Sequence, residues 1–165
     1  MKITLHSLTL ISALFLSGLS AGLFYAWQVS VIPGTRRVLS STYLESMQAI
    51  NRAILNPAFF LVFFGCLILL AISTFQQYNS GLTFYLLLAA TLIYLIGTFG
   101  VTALGNVPLN DTLDLLDLSE LATDQANDFR RNYEQKWNRF HLIRTVFSVL
   151  SFLLALLACC STTQQ

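Results

Sequence analysis

Residues 53–110 carry no Asp, Glu, Lys or Arg, and only the polar run Gln76-Gln77-Tyr78-Asn79-Ser80-Gly81 interrupts them. A membrane span needs about 20 predominantly apolar residues, so this stretch holds two spans joined by a tight turn. Two further charge-free stretches, 3–35 and 145–165, lie on either side. The pattern predicts an all-α fold, a four-helix transmembrane bundle with amphipathic helical connections on one face. One integral-membrane domain is expected over 1–165, with spans near 5–31, 57–75, 82–104 and 142–160.

The connections have helical patterns of their own. Between 36 and 56, Leu39, Tyr43, Leu44, Met47, Ile50, Ile54 and Leu55 recur at threes and fours, which predicts an amphipathic helix. Asn51 falls on its apolar side, where an unpaired amide costs about 1–3 kcal/mol and so demands a partner. In the second connection Gly105–Asn110 reads as a turn. A helix is expected to follow, with Asp111, Asp114, Asp117, Glu120, Asp124 and Asp128 as an acidic, solvent-facing stripe and Leu109, Leu113, Leu116 and Leu121 opposite. Beyond it Trp137, His141 and Arg144 share one face running into the last span. Pro33-Gly34 is expected to end the first span. Gly18, Gly22 and Ala26 predict a small-residue ridge for close helix approach, and Ser148, Ser151, Ala155 and Cys159 the packing face of the fourth span.

Composition agrees. Hydrophobic residues make up 55% and charged residues 10%, against roughly 25% charged in soluble domains, so the main partner is membrane lipid. Net charge is +1 and no basic run interleaves with aromatics, which argues against a nucleic-acid partner. Cys66, Cys159 and Cys160 make no disulfide framework and read as packing residues. Lys2, followed by apolar and then small residues, invites comparison with a secretory signal, whose apolar core is about 7–15 residues. The apolar sequence here continues to Ile32, so a retained span is expected.

Several classes of chemistry find no support. The two histidines, His6 and His141, fall at opposite membrane faces, whereas a zinc site gathers about three or four ligands, so no metal is expected. No phosphate-binding glycine loop and no Gly-x-Ser-x-Gly elbow is present, and no cofactor is expected. No span carries a central Asp, Glu, Lys or Arg to move an ion or proton.

Polar residues nevertheless stand where apolar ones would be cheaper, all at one end of the bundle: Asn51, Asn56, Asn106, Asn110, Trp137, His141 and Arg144. An ionisable residue just inside a span defaults to a functional-site hypothesis, although Arg144 is near enough to the interface to snorkel. The chain here resembles the anthrone-oxygenase-like family of small four-span membrane proteins, mostly of unknown function. The resemblance rests on Gly18-Leu19-x-Ala21-Gly22 in a span ending at Pro33, on Met47-Gln48-x-Ile50-Asn51 and on Asn56-Pro57. It extends through Gly105-Asn106-Val107-Pro108-Leu109-Asn110 to Trp137-x-x-x-His141-x-x-Arg144.

That resemblance implies oxidation of a hydrophobic aromatic such as an anthrone by molecular oxygen, without a cofactor. On this reading His141 is a general base. Arg144, Asn106 and Asn110 hold an oxyanion, Trp137 and Tyr43 stack on the substrate, and Asn51 and Asn56 complete the binding set. Two alternatives stay open. The polar groups pair with one another to lock the connections onto the bundle, or the protein is non-catalytic and binds a lipid or quinone-like amphiphile or scaffolds a partner.

Cationic residues orient membrane proteins. Arg36, Arg37, Arg52, Arg130, Arg131, Lys136 and Arg139 fall in the connections, Lys2 alone falls on the opposite side, and Arg144 is at the boundary. The connections are therefore expected in the cytoplasm, with both termini across the membrane. A topology reporter fused after Gln165 should behave as extracytoplasmic; cytoplasmic behaviour at normal expression would reverse the assignment.

Overall fold

A computed structural model describes residues 4–162, which form five helices: α1 (Leu5–Thr35), α2 (Ser40–Ala53), α3 (Pro57–Gln76), α4 (Leu82–Asp114) and α5 (Thr123–Thr162). Lys2 and Gln165, used above for orientation, lie outside the described residues. All but α2 are long and apolar enough to cross a bilayer, and the chain is an integral membrane protein. Local chemistry marks the helix ends. Thr4 and Ser7 form a capping box at the start of α1. Asn56 caps α3, where Pro57 takes the first turn. Gly81, at φ +54°, makes the tight turn into α4.

α1 stops at Thr35, beside the expected Pro33-Gly34, but Pro33 and Pro108 themselves lie inside helix. α1 passes through a wide π turn at Trp27–Val31 and resumes as α-helix over Ile32–Thr35. α4 is π-wound over Tyr94–Gly100 and Thr102–Asn106, so Gly105–Asn110 is helix rather than turn, with α-winding restored from Val107 to Asp114. Inside an α-helix a proline loses one hydrogen bond and its ring strikes the carbonyl four residues back. A preceding π turn takes that carbonyl out of α register, and Pro33 and Pro108 each come directly after one.

The acidic stripe is also not a single helix. α4 stops at Asp114 and α5 starts at Thr123. Between them Asp117 accepts bonds from the N–H and hydroxyl of Ser119 at 3.0 and 2.6 Å. These side-chain bonds compete with helix continuation, and they hold the exposed Asp117 carboxyl below its usual range. In compensation α5 begins far before its apolar part, so one helix both crosses the membrane and stands out from it.

α1, α3, α4 and α5 form a ring, each packed on the helices either side, and α2 lies across the connection-side end on α5 and the end of α4. Lipid tails are as apolar as leucine, so helix association in a bilayer relies on close packing and interhelical hydrogen bonds. Ser20 Oγ lies 2.9 Å from Tyr94 Oη, Thr74 Oγ1 2.9 Å from Thr91 Oγ1, and Thr83 Oγ1 2.7 Å from Ser161 Oγ, while Ser151 Oγ donates to the Ala90 carbonyl at 2.8 Å. Beneath α2 a second apolar layer gathers Tyr43, Leu44, Met47, Leu113, Tyr133 and Trp137. Arg130 on α5 ties down the end of α1. Its Nη1 and Nη2 donate to the carbonyls of Val38 and Thr35 at 2.7 and 2.9 Å, and its Nε to Glu134 at 2.8 Å.

The expected Gly18-Gly22-Ala26 ridge is not the packing face of α1. Gly18 is half-buried against Phe152, and Gly22 and Ala26 are exposed, while Ala13, Ser17, Ser20, Ala21 and Phe24 point inward. Close approach instead comes from glycines of α4. A Cβ at Gly105 would sit 2.7 Å from the Phe140 ring, and one at Gly97 would overlap Phe147. The fourth-span face holds: Ser148, Ser151 and Ala155 are buried and Cys159 half-buried. Gly97→Ala should destabilise the fold by about 1–3 kcal/mol through overpacking, seen as a lower melting temperature in detergent. Adding Phe147→Leu should recover part of the loss.

Candidate functional site

The wide turns of α1 and α4 stand level with the point where α5 carries His141 and Arg144, and a pocket opens there at the connection-side end of the ring. Its walls are mainly apolar: Leu23, Phe24 and Trp27 from α1, Ile50, Ile54 and Leu55 from α2 and the link to α3, Phe59, Val107 and Trp137. Its polar lining is Asn51, Arg52, Thr102, Asn110, Asp111, Asp114, His141 and Arg144.

Arg144 does not snorkel; it is 8% exposed. The guanidinium carbon lies 4.7 Å over the Phe24 ring and 5.1 Å over the Trp137 ring, so two aromatic faces take the place of water. Nε and Nη2 are 3.2 and 3.0 Å from His141 Nδ1, and Nη1 donates to Thr102 Oγ1 at 3.4 Å. Among the described residues the ion pairs are Arg52–Asp114, Arg130–Glu134 and Arg131–Asp128, so no carboxylate neutralises Arg144.

The same contacts settle the tautomer of His141. Its Nε2 lies 3.1 Å from the Phe24 carbonyl, which can only accept, so Nε2 carries the proton and Nδ1 accepts from Arg144. That carbonyl lies one helical turn before the π turn of α1, where the ladder loosens. The imidazole stacks on Trp137 at 5.0 Å and 6°, and Thr102, which steadies Arg144, belongs to a π-wound stretch of α4.

Asn110 centres a second network. Its Oδ1 accepts from Trp137 Nε1 at 2.8 Å and from Tyr133 Oη at 3.1 Å, and Tyr133 Oη in turn accepts from Asn51 Nδ2 at 3.2 Å. The apolar-side Asn51 thus finds the partner it demands, Tyr133, on α5. The network fixes the Trp137 ring and joins α2, α4 and α5.

Of the eight residues singled out by sequence, Asn51, Asn110, Trp137, His141 and Arg144 line the pocket, and Tyr43, Asn56 and Asn106 do not. Tyr43 precedes Asn51 by two turns, so it sits deep in the layer under α2, 4.4 Å beneath Arg130 and 6.3 Å from Tyr133. Burial, with Glu134 and Tyr133 adding, pushes its phenol upward and keeps it neutral. Asn56 is spent on capping: its Oδ1 accepts from Phe59 N at 3.0 Å and its Nδ2 donates to the Ala53 carbonyl at 2.8 Å. Asn106 is buried behind the wall, donating to the Trp137 carbonyl at 3.2 Å, and its Oδ1 has no hydrogen-bond partner among the described residues.

The family model described as anthrone oxygenase matches residues 45–154. The chain belongs to the anthrone oxygenase family. No curated protein and no solved structure matches it. The matched region holds Asn51, the π-wound part of α4 and the Trp137-His141-Arg144 face, while Phe24 and Trp27 of α1 precede it. In this member of the anthrone oxygenase family, then, part of the pocket comes from residues that precede the matched region. Sequence reading passed over Phe24, Trp27, Phe59, Thr102 and Tyr133 as site residues. Only Trp27 carried a signal, an amphipathic aromatic at the same membrane end as Trp137; the others look like ordinary span or helix-face residues.

Asn110→Leu strands two donors, whereas Asn51→Leu removes one donor from a hydroxyl that keeps another partner. Asn110→Leu should therefore cost about 2 kcal/mol and Asn51→Leu about 1 kcal/mol, read from melting in detergent. Equal losses would show that the Asn110 bonds do not hold the network.

Proposed function

We propose that this protein is a membrane oxygenase that oxidises a hydrophobic, anthrone-like phenol with molecular oxygen, and that Arg144 holds the oxyanion formed on the way. One observation carries the reading: a guanidinium is buried in an aromatic pocket and, among the described residues, no carboxylate is paired with it. A buried charge is costly unless paired, so the natural complement is an anion brought or formed there by a flat, apolar ligand. The family name and the bilayer setting support the same substrate class.

Ionising such a substrate makes it electron-rich enough to reduce oxygen directly, so the reaction calls for no further redox group. The reacting CH2 carbon loses both hydrogens and gains one oxygen atom as a carbonyl; the second oxygen atom leaves with those hydrogens as water. Arg144 stabilises the negative charge in a site of low polarity, where such donors act most strongly. Trp27, Trp137 and Phe59 offer ring faces. His141 takes the proton at Nδ1. That lone pair accepts from Arg144, and the substrate oxygen, a better acceptor as its negative charge forms, draws the guanidinium to itself and releases the lone pair as the proton leaves. With the orientation expected from the cationic residues, the pocket opens toward the cytoplasmic side.

The test is oxygen uptake by the purified protein in detergent with emodin anthrone, expected at one oxygen per quinone formed. Arg144→Leu should lower kcat by about 100-fold or more, the usual cost of an oxyanion donor. Arg144→Lys should keep part of the activity, since it retains charge but loses the planar fork. His141→Gln should be nearly inactive. Uptake no faster than in protein-free detergent would overturn the oxygenase reading. Binding without uptake would favour capture of an anionic amphiphile by the same buried cation.

A further inference from the structure

The pocket is electrically polarised along α4. Thr102, which touches the Arg144 guanidinium, marks its base. Val107 follows, then Asn110 and Asp111, and Asp114 at the rim. At up to 1.5 Å per residue Asp111 stands as much as about 13 Å further out than Thr102. Asp114 is paired with Arg52, both at the exposed rim, whereas Asp111 has no cationic partner among the described residues. The base is thus positive and the rim carries one unbalanced negative charge, with the exposed apolar side chains of Leu55 and Val107 beside it.

We infer that Asp111 sets the charge selectivity of the pocket. A ligand whose outer end is neutral enters and becomes an anion only at Arg144, and the same aromatic with a carboxylate at its outer end is turned away. The inference rests on the oxyanion reading above and adds which substrates that site accepts. Two like charges at contact distance differ from a neutral pair by about fivefold in binding even in water, and by more beside apolar walls. A carboxylate held near Leu55 and Val107 would also give up hydration with no cation free to replace it, because Arg52 is engaged by Asp114. A hydroxyl at the same place meets Asp111 as an acceptor.

Both tryptophans of the chain, Trp27 and Trp137, line the pocket, so intrinsic fluorescence reports occupancy without turnover. The probes are a dihydroxyanthraquinone bearing a hydroxymethyl group and the same compound bearing a carboxylate there; as quinones, neither can undergo the oxidation. Wild type should bind the neutral compound at least about tenfold more tightly. Asp111→Asn should tighten the carboxylate about three- to tenfold and leave the neutral compound within about twofold. Asp111→Lys should tighten it further. Glu45→Gln, the same charge change at an exposed position away from the pocket, should alter neither. Equal affinities in wild type, a carboxylate unmoved by either Asp111 substitution, or an equal response to Glu45→Gln would overturn the inference. Absence of quenching by both compounds would overturn it together with the substrate reading, whereas absent oxygen uptake beside intact selectivity would remove only the oxygenase reading.

Discussion

A guanidinium at Arg144 has to be made tolerable inside a bilayer protein, and the architecture of the connection-side end follows from that demand. It lies over the Phe24 and Trp137 rings, His141 Nδ1 and Thr102 Oγ1 take its N–H groups, and the Phe24 carbonyl holds His141 in the one tautomer that can accept. Three helices supply these groups, so the charge cannot be accommodated unless α1, α4 and α5 are docked in register. All of these partners are neutral. They solvate the cation without neutralising it, which leaves its field available to whatever enters the pocket.

Much of this was legible in the sequence, and the reasons are specific. Charge-free length identifies the spans because unpaired backbone polar groups cannot be left in lipid, which leaves the helix as the available answer for such a chain. The threes and fours of Tyr43, Leu44 and Met47 placed α2 because those residues have nowhere else to bury. The convergence of Asn110, Trp137, His141 and Arg144 followed from their shared membrane level. Part of what escaped depends on contacts between distant segments, and part on a local side-chain bond. The inward face of α1 is chosen by the neighbours of Ser17, Ser20 and Phe24, whereas glycine spacing alone favoured another face. The Asp117–Ser119 bonds, two residues apart, outweigh a helical pattern that otherwise runs unbroken through the acidic residues.

α2 and the outer part of α5 form a layer that the hydropathy profile treats as mere connection. Tyr133 belongs to it, yet its hydroxyl bridges Asn51 and Asn110 and so fixes the wall against which Trp137 leans. Arg130, by holding the Thr35 and Val38 carbonyls, sets where α1 ends and thus where Trp27 stands. The pocket is roofed by soluble-type packing and floored by membrane-type packing, and its residues answer to both solvents.

The wide turns have an evolutionary corollary. Each π turn is an α-helix with one residue too many, and removing that residue would restore regular winding. The helix beyond would keep its face, because the turn had absorbed the extra residue, whereas the same loss from a regular stretch would rotate everything beyond it by about 100°. In α4 a loss between Thr102 and Asn106 would therefore keep Asn110 and Asp111 on the pocket but bring a carbonyl back against the Pro108 ring. Descent within such a fold ties the proline to the inserted residue. A relative whose α4 is one residue shorter at this turn is expected to lack the proline as well, with its pocket facing the same way.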